Sequence, residues 1–84
     1  MGRSRRIRPK NLGKKLEKIR TSLGLDRSGL IKALDYRESK LYPQNIWSFE
    51  NSEREPNLLI ILSYSRLAQI SSDLLIDDTR DLPF

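Results

Sequence analysis

The apolar residues of this chain recur mainly at spacings of three and four residues, which is the spacing of an amphipathic helix. Near the N-terminus Leu12, Leu16, Ile19 and Leu23 follow this spacing without interruption. The pattern predicts five helices along the chain. They cover about 11–23, 26–35 and 43–52, then a stretch that opens near Asn57, and finally a short helix that carries Leu74 and Leu75.

Residues that start or stop helices lie between these segments. Gly24 can adopt the left-handed conformation that ends a helix, and Asp26 can cap the next one. Pro43 suits the first position of the third helix, because its fixed φ fits there and its missing N–H is not needed. The other expected caps are Asn57 or the residue before it, and Ser71 or Ser72.

The same spacing predicts the core and the fold class. Beyond the first helix, the residues expected to point inward are Leu30, Ile31, Leu34, Ile46, Phe49, Leu58, Ile61, Leu62 and Ser65. The chain has no valine and only two threonines, so it contains few of the β-branched residues that favour strands. We therefore predict an all-α fold, a compact five-helix bundle. Its 84 residues divide into a basic arm at 1–10, one helical domain at 11–76 and an irregular tail at 77–84.

The third predicted helix has an unusual polar face. On a helical wheel Ile46 and Phe49 share a narrow apolar stripe, with Glu50 beside it. An ordinary solvated face would carry Lys and Glu, but here the outward side chains are uncharged and form hydrogen bonds. They are Gln44, Asn45, Ser48 and Asn51. Because such side chains read base edges in the major groove of DNA, the pattern indicates a recognition helix.

Positive charge is concentrated at the start of the chain. Residues 1–20 hold nine basic side chains against one acidic side chain, whereas residues 71–84 hold four aspartates against one arginine. We expect the first part to be an arm that follows phosphates or enters a minor groove. Its arginines are Arg3, Arg5, Arg6 and Arg8. The alternative interpretation is that these residues form a tail that only improves solubility.

Composition excludes several kinds of chemistry. The chain has no cysteine and no histidine, which removes thiol chemistry, the usual zinc sites and histidine acid–base catalysis. The acidic residues are scattered, apart from the group formed by Asp77, Asp78 and Asp81, so we expect no enzyme, no metal and no cofactor. The basic N-terminus has no apolar run of a signal peptide, and no segment reaches 18 apolar residues. A cytoplasmic, nucleoid-associated protein without a membrane contact is expected.

The chain resembles the lambda-repressor-like, XRE-type helix-turn-helix family over about 11–76. The resemblance rests on the order and spacing of several short motifs. They are Leu12-Gly13 with Leu16 and Arg20, Leu25-Asp26-Arg27, Leu30-Ile31-Lys32-Ala33-Leu34, Ile46-Trp47-Ser48-Phe49-Glu50-Asn51, Arg54-Glu55-Pro56, Leu58, Leu62, and Ile70-Ser71 with Leu74. The sequence departs from the family in a longer turn at 36–44, in Arg27 where the family usually has Gln, and in lacking glycines near Asp35 and Ser52.

The resemblance implies a function and a role for individual residues. It implies a sequence-specific regulator of transcription that binds double-stranded DNA, with Gln44, Asn45 and Ser48 contacting base edges. Arg27 and Asn51 would contact phosphates. Arg37 and Lys40 in the turn are further phosphate candidates, although charges in loops are usually just solvated. Arg20 and Glu50 match a structural pair that joins the first helix to the third, and a partly buried Glu would need such a partner.

We expect the chain to bind DNA as a homodimer, because one short helix reads too few base pairs. The expected interface combines helix 4 and the C-terminal segment, where Leu59, Ile60, Ile76, Leu82 and Phe84 have no evident place in the core. An exposed apolar patch of that size would be unusual for a monomer. The competing hypothesis is that the last residues fold back over the first helix as a lid.

Several of these residues also admit a purely structural interpretation. Gln44 and Ser48 could be merely solvent-facing, and Asn51 could be only a helix stop. Trp47 either packs over the turn on Leu41 or Tyr42, or contacts the DNA edge. A different function for the whole chain is an antitoxin-like module whose C-terminal segment binds a partner protein.

Overall fold

The computed structural model describes residues 9–84, so the predicted arm residues Arg3, Arg5, Arg6 and Arg8 lie outside the described residues. In residues 9–84 the chain forms five helices and no strand, which confirms the predicted all-α bundle. The helices are α1 (Leu12–Ser22), α2 (Arg27–Leu34), α3 (Pro43–Glu50), α4 (Leu58–Ala68) and α5 (Asp73–Ile76).

The helix ends follow local chemistry. Gly24 has a φ of 70° after α1, and the N–H of Leu25 donates to the carbonyl of Arg20, so the predicted stop is confirmed. The Asp26 side chain accepts the N–H of Gly29 at 2.7 Å and caps α2. Asn57 caps α4 in the same way, through the N–H of Ile60 at 2.9 Å.

The core lies where α1 packs on α3, α4 and α5, and where α2 packs on α3 and α4. Six of its side chains are fully buried: Tyr64, Leu16, Ile19, Leu30, Ile46 and Leu75. Each helix therefore contributes at least one fully buried side chain, and no helix could bury its apolar face alone.

The buried face of α4 differs from the prediction. Leu58 is 74% exposed, although its spacing predicts an inward side chain, and Ile60 is buried although it lies off the predicted stripe. The reason is Tyr64, the largest fully buried side chain. Because Tyr64 occupies the centre of the bundle, α4 is turned so that residues 60, 61, 64 and 65 face inward.

Helix α1 also departs from its predicted stripe. Leu23 is exposed at the end of the helix, whereas Lys15 is buried. The Lys15 ammonium group donates to three backbone carbonyls beyond the core, which satisfies all three of its protons. The acceptors are the carbonyls of Leu74, Asp77 and Arg80, at 2.6, 2.9 and 2.7 Å. A buried charge is tolerated here because it is fully hydrogen-bonded.

The C-terminal segment, residues 77–84, packs against the helices. Leu82 is partly buried against the core, so the expectation that it has no place there is wrong. The Phe84 ring lies 6.0 Å from the Lys18 ammonium group of α1. This geometry agrees with the competing hypothesis, in which the last residues fold back over the first helix.

Gly13 allows α1 to approach the end of α3 closely. A Cβ at this position would lie 2.6 Å from the carbonyl oxygen of Glu50 and 2.9 Å from that of Phe49. Both obstructing atoms belong to the backbone, so they could not move aside without shifting α3. The absence of a side chain at Gly13 therefore helps to set the position of α3 on the bundle.

Candidate nucleic-acid interface

The start of α3 is built by a proline and an asparagine. Pro43 occupies the first turn, and the Oδ1 atom of Asn45 accepts the N–H of Tyr42 at 2.8 Å. Asn45 is half-buried, and its oxygen is engaged in this cap. The resemblance implies a base contact for this residue, whereas in the structure its oxygen orders the start of α3.

The outward side of α3 carries no charge. Gln44 is exposed in the first turn, Trp47 is half-buried and Asn51 is exposed just after the helix. The Asn51 side chain donates from Nδ2 to the carbonyl of Trp47 at 2.9 Å. It therefore closes the last turn, as a helix stop does, and its position at the exposed end of α3 is the one predicted.

Ser48 does not lie on the exposed face, so this part of the prediction is wrong. The residue is 8% exposed, although the helical wheel places it opposite the apolar stripe. After α3 the chain turns back against it. Glu53 and Arg54 both donate their backbone N–H groups to the Ser48 carbonyl, at 2.9 and 3.3 Å. A helical wheel drawn for one helix does not include the neighbouring parts of the fold that bury its residues.

Glu50 anchors α3 to the two preceding helices. Its side chain is 1% exposed. The Arg20 guanidinium donates to both carboxylate oxygens, at 2.6 and 3.2 Å, which confirms the predicted pair. The two-point contact is the strong form of an ion pair, and it raises the pKa of Arg20.

Arg27 joins the same carboxylate. It donates from a terminal nitrogen to Oε1 of Glu50 at 3.1 Å, and a third of its side chain is exposed. The resemblance implies a phosphate contact for this residue of α2, and the pairing with Glu50 was not predicted. One carboxylate thus links α1, α2 and α3, and the two arginines leave a net positive charge at this junction.

Two buried polar atoms at this junction have no hydrogen-bond partner among the described residues. They are Nε of Arg27 and the hydroxyl of Tyr64. Burial and, after it, the charge of Glu50 raise the pKa of Tyr64 well above its ordinary value. Tyr64 is therefore neutral at any physiological pH, and it belongs to the support beneath α3.

The cations of the turn are not free. Arg37 pairs with Asp35, the Nε–Oδ1 distance being 3.1 Å, and both side chains are largely exposed. The Lys40 ammonium group lies 5.3 Å from the centre of the Tyr42 ring. Exposed pairs of this kind are weak, so either cation could exchange its partner for a phosphate.

A groove connects the start of the described chain with the end of α3. Pro9 and Lys10 line it on one side, and Phe49, Ser52 and Arg54 on the other. The exposed Arg54 was not singled out as a site residue in the sequence. Its placement next to α3 makes it a candidate for the interface. Its local sequence gives no such indication, because it is an ordinary polar connection.

Asp78 was not predicted either, and it holds the start of α1. Its carboxylate accepts the N–H of Lys10 at 2.8 Å and that of Asn11 at 3.0 Å. These bonds lower the pKa of Asp78 below its ordinary value of 3.8, so the side chain is ionised at neutral pH. No local signal pointed to this contact, since the partners lie 68 and 67 residues apart.

Comparisons of the chain with protein-family models, with curated proteins and with solved structures found no match. The likeness to XRE-type proteins therefore remains an inference from the residues quoted above. Within residues 9–84 no group of three or more His, Cys, Asp or Glu side chains is placed to hold a metal ion. None of the helices in this range has the length and apolar character needed to span a membrane.

Proposed function

We propose that the chain is a sequence-specific regulator of transcription that binds double-stranded DNA and acts as a repressor at the nucleoid, in the cytoplasm. In this proposal α3 enters the major groove, and Gln44 reads a base edge. The exposed residue Asn51 and the cations next to α3, Lys40 and Arg54, contact the phosphates.

The observation that carries the proposal is the way α3 is presented. Gln44 is exposed at its first turn, Asn51 is exposed just after its end, and no charged side chain of α3 is exposed. Its opposite side is fixed by Glu50, whose carboxylate is bound by Arg20 and Arg27. A rigidly seated helix with an uncharged polar face suits base reading, because specificity needs hydrogen bonds held at a defined distance.

The charge around α3 supports the same function. Lys40 and Arg54 both line a second groove, together with Asn45 and Phe49 of α3. Residues 1–8 add four arginines to the part of the chain that leads into α1. Contacts between such cations and phosphates supply affinity and hold the helix in register without reading sequence.

Homodimer formation is part of the proposal, with a smaller interface than the sequence suggested. Ile60 is buried and Leu82 packs on the core, so neither is available. Leu58 and Leu59 are exposed side by side at the start of α4. Leu59 also lines a surface depression, together with Tyr36 of the turn before α3 and with further residues of α4. This surface is the one we propose for a second copy.

Selection of bound duplexes from a random pool tests the function directly. A sequence-specific protein enriches one motif, and the dimer proposal expects that motif to be near-palindromic. Recovery of an unenriched pool would contradict sequence-specific binding.

Replacement of Gln44 tests the reading helix. Gln44→Ala should weaken binding to the selected site by roughly 1–3 kcal/mol, the range of a two-point contact between Gln and adenine. Binding to random duplex should hardly change, because the side chain is uncharged and exposed. Both affinities are measured by fluorescence anisotropy at one salt concentration.

Ser48→Ala is the matched control within the same helix. Because Ser48 is buried, its replacement should leave the base preference unchanged. Equal losses on selected and random DNA for Gln44→Ala would contradict the assignment of α3.

A further inference from the structure

The C-terminal segment holds the point at which the basic N-terminal residues join the domain. The two oxygens of the Asp78 carboxylate accept two successive backbone N–H groups, those of Lys10 and Asn11. Two bonds to neighbouring peptide units define an orientation and not merely a distance. They therefore fix the direction in which the chain enters α1.

Asp78 is itself held in place by the rest of its segment. Lys15 binds the carbonyl of Asp77, directly before it, and the carbonyl of Arg80, two residues after it. Since Lys15 is buried in α1, the segment that carries Asp78 is tied to the core on both sides. The backbone that carries Asp78 is therefore held in place where its side chain accepts from Lys10 and Asn11.

The direction of the chain at this point matters for what precedes it. Pro9 has a fixed φ, which limits the freedom between Lys10 and the arginines of residues 1–8. Pro9 and Lys10 also line the groove that Ser52 and Arg54 border at the end of α3. The described part of the chain therefore starts next to the end of the proposed reading helix.

We propose that Asp78 is a positioning residue for DNA binding, which fixes the start of the arginine-rich arm beside α3 so that both engage one duplex. This inference rests on the proposed function. Its physical basis is preorganisation. An arm that starts from a fixed point near the bound DNA has a higher effective concentration at the phosphates, and it loses less freedom on binding.

The test compares Asp78→Ala with Asp77→Ala. The neighbouring Asp77 has the same charge, but among residues 9–84 its carboxylate accepts only from the N–H and hydroxyl of Thr79. Asp78→Ala should lower affinity for a duplex of the selected sequence. It should flatten the slope of log K against log salt by about 0.9 for each phosphate contact that the arm loses. Asp77→Ala should retain the slope of the unaltered chain.

Removal of residues 1–8 separates positioning from stability. In the shortened chain Asp78→Ala and Asp77→Ala should bind DNA equally within about twofold, the ordinary scatter for independent sites. Hydrogen exchange at the amides of Lys10 and Asn11 provides a readout that needs no DNA. Protection there should fall in Asp78→Ala and persist in Asp77→Ala. If Asp78→Ala folds poorly, Asp78→Asn keeps one acceptor and should give an intermediate slope.

The outcomes distinguish this inference from the function on which it rests. Failure of the unaltered chain to bind DNA contradicts both. Salt-dependent binding with equal slopes for the Asp78 and Asp77 variants leaves the proposed function intact and overturns the positioning role. A loss in Asp78→Ala that persists without residues 1–8 also overturns it, because the effect would then be purely structural.

Discussion

At the scale of single residues, Glu50 joins three helices through one carboxylate. Its carboxylate is almost completely buried and binds Arg20 and Arg27 together. The resemblance to XRE-type proteins pointed to Arg20, and a partly buried Glu needs such a partner. It did not point to Arg27, whose approach depends on how α2 packs on α3.

Glu50→Ala should destabilise the fold. Both arginines would lose their partner at a site that is largely closed to water, at a cost of about 2–4 kcal/mol. For a domain of this size we expect a melting temperature lower by roughly 10 °C or more. Thermal unfolding followed by circular dichroism measures this effect.

Glu53→Ala is the control, because Glu53 is exposed and its replacement removes the same charge from the adjoining segment. Its melting temperature should stay close to that of the unaltered chain. An unchanged melting temperature in Glu50→Ala, together with lost DNA binding, would instead give Glu50 a direct part in recognition.

At the scale of elements, three of the helices in the described residues are followed by a non-glycine residue in a backbone conformation that it does not favour. Asp35, Ser52 and Gln69 have φ values of 52°, 60° and 58°, in the left-handed region. Asp35 and Ser52 are also positions near which the XRE-type family usually has glycine. The turns keep their path although the glycines are absent, because packing on both sides determines them.

Ser52→Gly should stabilise the protein. A non-glycine residue in the left-handed region destabilises the folded state by about 1 kcal/mol, and glycine removes this strain. Glycine also adds conformational freedom to the unfolded chain, which offsets part of the gain. We expect a net gain of about 0.5 kcal/mol in the free energy of unfolding. Urea denaturation measures it.

The same exchange inside a helix is the matched control. Ser63 lies within α4, where Ser63→Gly should cost about 0.5 kcal/mol instead. If both variants lose stability to the same extent, the left-handed conformation at Ser52 carries no strain that glycine could relieve.

At the scale of the whole molecule, charge and apolar surface are unevenly distributed. The positive charge lies in the first 20 residues, with nine basic side chains against one acidic side chain, while the C-terminal segment is acidic and packs on α1. The start of α4 exposes Leu58 and Leu59. This arrangement predicts association of two copies through α4, with the basic residues left for DNA.

Replacement of Leu58 and Leu59 together by serine should weaken that association. The double variant should sediment as a monomer at concentrations where the unaltered chain is a dimer. It should also lose its preference for a site with two half-sites about 34 Å apart. Analytical ultracentrifugation and binding to full and half sites measure the two effects.

Leu23→Ser is the control, because Leu23 is also an exposed leucine but lies at the end of α1. It should leave the oligomeric state unchanged. A monomeric unaltered chain, or equal behaviour of both variants, would contradict an interface at α4.

The sequence by itself determined the five helices, most of their ends and much of the core. These features depend on short-range causes: the spacing of Leu12, Leu16 and Ile19, the caps at Asp26 and Asn57, and the proline that opens α3. It also identified Gln44 as an outward residue and the pair of Arg20 and Glu50.

Only the tertiary structure decided which faces stay open and which distant groups meet. Ser48 is buried although it lies opposite the apolar stripe of α3, and the burial of Tyr64 turns α4 so that Leu58 is exposed. Lys15 and Asp78 tie the C-terminal segment to the start of α1, across more than half of the chain. Such contacts depend on how whole helices pack, and residue spacing within one helix carries no information about them.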